Sequence, residues 1–207
     1  MSFDTDDLPQ LLEHLWDHLD AATRSAKPPF HLPTLCTLLS DEKLGPVPTA
    51  RTVVLRRVDR EHRRVICHTD RRAGKIDELQ THPVASWLFY DGPAKLQLRV
   101  TGRVSIHHDD ELADQQWAES ALTSRRCYLA PQPPGQAADH PSPNLPGPLR
   151  DRPPTEAESG AGRSNFAVLA CVADRFEMLH LKHSGHRRAA FVWDADDAPP
   201  EMSWLEP

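Results

Sequence analysis

The chain has 207 residues, a formal net charge of −6, 39% hydrophobic residues and 20 prolines; this suits one packed domain with part of its length outside the core. Net acidity argues against a nucleic-acid binder, and with no apolar run near the ~18 residues of a membrane span and an acidic start, the expectation is a cytoplasmic protein without membrane contact. Cys36, Cys67, Cys127 and Cys171 form no C-x-x-C pair, so neither a zinc knuckle nor a redox dithiol is expected, only reduced, mostly core thiols.

Leu8, Leu11, Leu12, Leu15, Trp16 and Leu19 recur at helical spacing behind Asp6 or Asp7 and Pro9, which predicts an amphipathic helix within a lead-in over 1–30. Short β-branched and apolar runs follow at 35–39, 51–58, 64–69, 84–90 and 95–107, read as strands. Turn signals at Asp59 to His62 and at Asp91-Gly92-Pro93 make successive strands antiparallel. Ala73 to Thr81, ending at His82-Pro83, suits a short helix. A second helix is predicted from Asp109 to about Leu122, since Asp109, Asp110 and Glu111 favour a helix start. The stretch 131–154 contains nine of the twenty prolines, so it is a loop or covering arm, reaching to about 163. Strand patterns resume at 166–172, 175–181, 188–193 and 202–205. Seven or eight antiparallel strands with few helices predict a mainly β, closed or partly closed barrel in a single domain over 1–207.

Residues 51–75 hold eight arginines and Lys75 against Asp59, Glu61 and Asp70, so a local anion site and a merely solvated hairpin are both open readings. Motif position favours the first. Arg51-Thr-Val-Val-Leu-Arg56, then His68-Thr69-Asp70-Arg71-Arg72-Ala73-Gly74-Lys75, then Leu96-Gln97-Leu98-Arg99-Val100-Thr101-Gly102 together resemble the pyridoxamine 5′-phosphate oxidase family of FMN-binding proteins. The resemblance covers about residues 45–125 and rests on the order and spacing of the three pieces. It implies an antiparallel Greek-key split β-barrel, FMN as cofactor and a homodimer with FMN at its two-fold interface.

A flavin phosphate is a dianion that needs Arg or Lys donors, ideally with backbone N–H groups pointing outward. Arg51, Lys75 and Thr69 are expected to hold it, with Thr52, His68 and Arg72 nearby, unless Arg51 and Lys75 are only solvated element ends. The flavin ring wants donors along its N1–N5 edge, because reduction places negative charge on its N1–C2=O side. The resemblance assigns Gln97 there, with backbone of Val53, Val54 and Leu55 at the ring edge; the alternation of Leu96, Leu98 and Val100 equally allows an outward Gln97. By the same resemblance Gln132 and Arg187 or Arg188 reach across to a partner's flavin.

The chain departs from the family pattern at Ala73-Gly74-Lys75, where a Ser is usual, and at His68-Thr69, where an aromatic precedes the Thr. The helix that in the oxidase carries a Tyr, Arg and Ser grip on substrate phosphate reads Gln116 to Ser124 here, and only Ser124 matches. Pyridoxamine phosphate is therefore a doubtful substrate. His180, His183 and His186, with His107 and His108, alternate faces and suggest no metal site. The expected function is an FMN-dependent oxidoreductase of unknown small-molecule substrate and unassigned catalytic residues. The alternatives are a non-catalytic flavin, haem or deazaflavin binding protein on the same barrel, or a structural dimer with an empty pocket.

Overall fold

The computed structural model describes residues 3–195 and 198–207; Met1 and Ser2, at the head of the expected lead-in, lie outside them. Helix α1 (Leu8–Thr23) is capped by Asp7, whose side chain accepts the Gln10 N–H at 2.9 Å. Its apolar stripe, Leu11, Leu12, Leu15, Trp16 and Leu19, is buried in one core with Phe30, Leu35, Leu55, Trp87, Phe89 and Phe176. The period-3.6 pattern thus becomes a filled barrel interior.

Strands β1 (Thr34–Asp41), β2 (Gly45–Thr52), β3 (Leu55–Asp59), β4 (Arg64–Asp70), β5 (Val84–Asp91), β6 (Leu96–His107) and β7 (Phe166–His180) form one antiparallel sheet in the order β2-β1-β5-β6-β7-β4-β3. On its other half β7 pairs with β8 (Arg187–Val192), which pairs with β9 (Glu201–Leu205). Strands β2 and β3 are the two ends of the seven-strand path, yet only Val53 and Val54 separate them. The three Cα steps from Thr52 to Leu55 span at most about 11 Å. The sheet must therefore curl until its edges meet, with no ladder across the seam, and this is a split barrel.

The predicted strand 51–58 is accordingly two strands broken at the seam. Strand β2 was not expected, because Pro46 and Pro48 argue against a strand. They are tolerated because β2 is an edge: both fall on alternate positions of its ladder with β1, where their missing N–H groups can point outward. The two strands expected at 166–172 and 175–181 are one, β7. Its register against β6 slips between Thr101 and Gly102, leaving Asp174 as the extra residue of a bulge. There an added Cβ on Gly102 would lie 1.9 Å from the Val172 carbonyl oxygen, so only glycine fits.

Helix α2 (Lys75–Thr81) begins two residues later than expected. The predicted helix 109–122 is α3 (Glu111–Glu119), capped by Asp110, and it breaks at Ser120 before a single turn, α4 (Leu122–Arg125). Trp117, Tyr128 and Phe166 pack edge to face in a second core beneath α3. The proline-rich stretch contributes no strand or α-helix before α5 (Glu156–Ser159). No helix among the described residues is long and apolar enough to cross a membrane. Cys67 and Cys171 are core thiols, whereas Cys36 is half-buried and Cys127 exposed, so the expectation of mostly core thiols holds for two of the four.

Candidate functional site

The seam opens onto a cleft of about 490 Å³. One wall is Arg51 and Thr52 at the end of β2, Val53 and Val54 in the crossing, and Arg56 on β3. Another is His68, Thr69 and Asp70 at the end of β4 with Lys75 at the start of α2, and the third comes from 123–134, including Ser124, Tyr128 and Pro134. Local bonds fix each wall. The Val53 N–H donates to the Pro33 carbonyl at 3.0 Å and holds the crossing. Asp70 accepts the Arg72 N–H at 2.9 Å and its guanidinium at 2.9 and 2.7 Å, which shapes the turn after β4. Arg72 also donates to the Ala130 carbonyl at 3.0 Å and so ties the root of the proline-rich arm to that turn.

Two cations in this cleft are differently placed. Arg51 is committed to Glu78 (2.9 Å) and Thr49 (2.9 Å), and also bonds Thr37. Burial opposes the charge on Glu78, but hydrogen bonds from Thr37, Thr49 and Arg51 outweigh it and hold its carboxyl below the usual range. Lys75 has no carboxylate paired with it among the described residues; its ammonium donates to the Thr69 hydroxyl at 2.9 Å. Burial lowers its pKa, helped by the neighbouring Arg51 charge, and together these outweigh the more distant pull of Glu78 and Asp70.

A second cleft of about 490 Å³ adjoins the first. The two share Arg56, His68 and Ser124, and Arg56 reaches the Ser124 hydroxyl at 3.5 Å across the partition. Gln116, Glu119 and Ser120 of the α3 region, with Leu55 and the end of α1, complete the second cleft. Burial lowers the His68 pKa to about 4, despite its hydrogen bond with Gln116. The ring is neutral at pH 7.

Of the residues singled out from sequence, the structure gathers Arg51, Thr52, Val53, Val54, His68, Thr69 and Lys75 around the first cleft, with Leu55 facing the second. Arg72 stands behind the wall. Gln97 lies on the opposite strand face from buried Leu96, Leu98 and Val100, which is the outward one. The ladder Thr52–Thr34–Leu88–Arg99 places its strand three spacings, about 14 Å, from the cleft edge. Gln132 is held in the arm by Asn144 (3.1 and 2.9 Å), and Arg188 on β8 pairs with Glu177 at 3.1 Å. None of these three lines either cleft. Thr123, Cys127, Tyr128 and Pro134 were missed as lining residues, and Arg56 was left out of the site although it closes the quoted motif. His180 packs on Phe3 while His186 accepts the Lys182 N–H at 3.1 Å, and among the described residues no group of three metal-binding side chains forms.

Comparisons with known proteins agree with this architecture. Residues 13–108 match the family described as pyridoxamine 5′-phosphate oxidase, FMN-binding domain. Pyridoxine/pyridoxamine 5′-phosphate oxidase 2 of Arabidopsis thaliana is 32% identical over 93 residues, 42% of this chain and 47% of that protein, so the match spans about half the relative's length. A pyridoxamine 5′-phosphate oxidase-related FMN-binding protein of Nostoc punctiforme superposes with a TM-score of 0.70 at 22% identity, over 94% of this chain and 96% of its own. PhzG of Burkholderia lata, solved with tetrahydrophenazine-1-carboxylic acid, does so at 0.68 and 18%, over 99% and 94%. At these identities the two structures speak for the fold.

Proposed function

From a chain whose resemblance to the pyridoxamine 5′-phosphate oxidase-like FMN-binding split barrels is shown by the match over residues 13–108, we propose an FMN-dependent oxidoreductase that binds its flavin in the seam cleft and acts as a homodimer of single-domain chains. The observation that carries this reading is Lys75: a half-buried ammonium, bonded to Thr69 and paired with no carboxylate among the described residues, in a cleft large enough for a mononucleotide. Lys75, Thr69 and the free donors of Arg51 would hold the phosphate, and the Val53–Val54 backbone would border the ring. A bound flavin supplies hydride or electron transfer, and the second cleft offers substrate a place beside it.

The outward face supports the dimer. Along β5, Val84, Leu88 and Tyr90 form an apolar file that is 48%, 37% and 51% exposed. Beside it, Arg99 (2.6 Å), Arg175 (3.1 Å) and Arg188 surround the single carboxylate of Glu177. An apolar file next to a cationic cluster is a surface that a second copy would cover, and it carries Gln97 and Arg188. The reach from Gln97 to a flavin is then made through the two-chain site.

A binding protein without turnover is the second reading, favoured by the stretch Gln116 to Ser124, where of the oxidase's Tyr, Arg and Ser grip only Ser124 has a counterpart in sequence, and it faces both clefts. The absorbance spectrum of the purified protein, and of the supernatant after heating, tests the first reading. A released band near ~450 nm is the flavin expected of this family; a Soret band or no band refutes it. Reoxidation of the reduced, bound flavin by small acceptors then separates enzyme from carrier.

A further inference from the structure

The second cleft carries a hydrogen-bond chain whose direction can be read. The Gln116 amide nitrogen donates to Glu119 at 3.0 Å, which turns its carbonyl oxygen toward His68 at 3.1 Å. A carbonyl accepts, so His68 Nε2 bears the proton and, in the neutral ring, Nδ1 presents a lone pair. The Ser120 hydroxyl stands 3.5 Å from Nδ1, but it donates to the backbone carbonyl of Gln116 at 2.7 Å. Its one hydrogen is spent. Among the described residues Nδ1 thus has no protein donor, and it is a half-buried acceptor on the wall that the two clefts share.

Charge at the same wall is limited. Arg24 is paired with Asp20, and Glu119 lies 3.8 Å from Arg57. Arg56 has no carboxylate partner among the described residues and bonds only the Ser124 hydroxyl, so one unpaired guanidinium lines the space together with Glu119. One unpaired cation beside an anion suits a ligand of single negative charge, and a phosphate dianion would carry an uncompensated charge toward Glu119.

We infer that the second cleft selects a monoanion, such as a carboxylate, that also carries an O–H or N–H donor, with Arg56 taking the charge and His68 Nδ1 accepting the donor. This rests on the flavin reading for what the ligand does, but not for its binding. His68 is a specificity-determining residue on this account, and Arg56 a charge reader.

The test is calorimetric titration of the purified protein, before and after adding FMN, with 3-hydroxybenzoate, 3-methoxybenzoate and phenyl phosphate. The hydroxy acid should bind about 5- to 10-fold more tightly than the methoxy acid, which has the same charge and no donor, and with FMN filling the first cleft phenyl phosphate should bind no better than the methoxy acid. His68→Phe should bring the ratio of the two acids to about 1 with the methoxy acid unaffected, whereas Arg56→Gln should weaken both alike. Should His68→Phe fail to fold, nitrogen-15 resonances of wild-type histidine give the same answer: the unprotonated Nδ1 signal should move with the hydroxy acid and stay with the methoxy acid. Equal affinities in the wild type, an Nδ1 signal indifferent to the hydroxy acid, or tighter binding of phenyl phosphate to the FMN-loaded protein would overturn the inference. So would a His68→Phe protein that loses FMN affinity while keeping the acid ratio, because Nδ1 would then serve a flavin hydroxyl. Failure to retain FMN with the acid preference intact would sink the flavin reading alone.

Discussion

Replacing Lys75 with methionine keeps the stem's volume and deletes the ammonium, so one substitution should move two observables in opposite directions. A hydrogen bond to a charged group contributes about 1.5–3 kcal/mol, and loss of the Lys75 contact should raise the FMN dissociation constant about 10- to 150-fold. The apoprotein should become more stable, because burial and the Arg51 charge disfavour the wild-type cation by more than Glu78 and Asp70 favour it, and its hydrogen bond is to the neutral Thr69 hydroxyl. A gain of about 1 kcal/mol is about 2–4 °C in Tm for a chain of this length. Quenching of FMN fluorescence gives the first quantity and thermal denaturation of the flavin-free protein the second. The pH dependence has a definite sign. Burial lowers the folded pKa of Lys75 below 10.5, so between the two values the unfolded chain holds more protons and wild-type stability rises with pH. FMN affinity should fall over that same window as the ammonium is lost, and Lys75→Met should show neither trend. An FMN affinity within twofold of wild type, together with a lower Tm, would refute the reasoning.

Gly102→Ala places a Cβ 1.9 Å from the Val172 oxygen and 2.9 Å from the Ala173 Cα; both are backbone, so a loss of about 3 kcal/mol or more is expected in urea denaturation, and an unchanged midpoint would contradict the bulge. His68, lowered to about 4, should show no charge change between pH 5 and 8 in its ring proton resonances; its contribution to stability is fully present above 6.5 and is lost as pH falls through about 4. Leu88→Asp sets a charge in the middle of the exposed β5 file, and gel filtration should then show a monomer where the wild type elutes as a dimer.

Residues close in sequence were the most legible. The α1 stripe and the alternations of β5 and β6 are local periodicities, and they appear in the structure nearly as read. Strand β2 was hidden because Pro46 and Pro48 are harmless only at an edge, and edge position is decided by the whole sheet. The long strand β7 was divided in two because Asp174-Arg175 interrupts its apolar run, and the bulge opposite Gly102 absorbs that break. At the site, two walls were readable because each is a continuous segment beside a strand end. The third wall, 123–134, reaches the cleft only because Trp117 and Tyr128 pack on Phe166, and no spacing rule links those positions. The partnership of Arg51 with Glu78, 27 residues apart, is likewise a product of folding.

The two-residue crossing at Val53–Val54 makes the cleft a product of chain closure. Strand β3 must find β4, β4 must find β7 and β2 must find β1 before the two free edges face each other, and the first and last of these pairings are hairpins while the middle one joins residues about a hundred positions apart. Contacts of such sequence separation form late in assembly. The ligand pocket is therefore completed at the end of folding, and a molecule seated across the seam acts as a cross-link between edges that no backbone ladder joins. Occupancy would slow local opening there more than elsewhere in the barrel, so the same cleft that recognises the ligand also times how long the finished barrel stays shut.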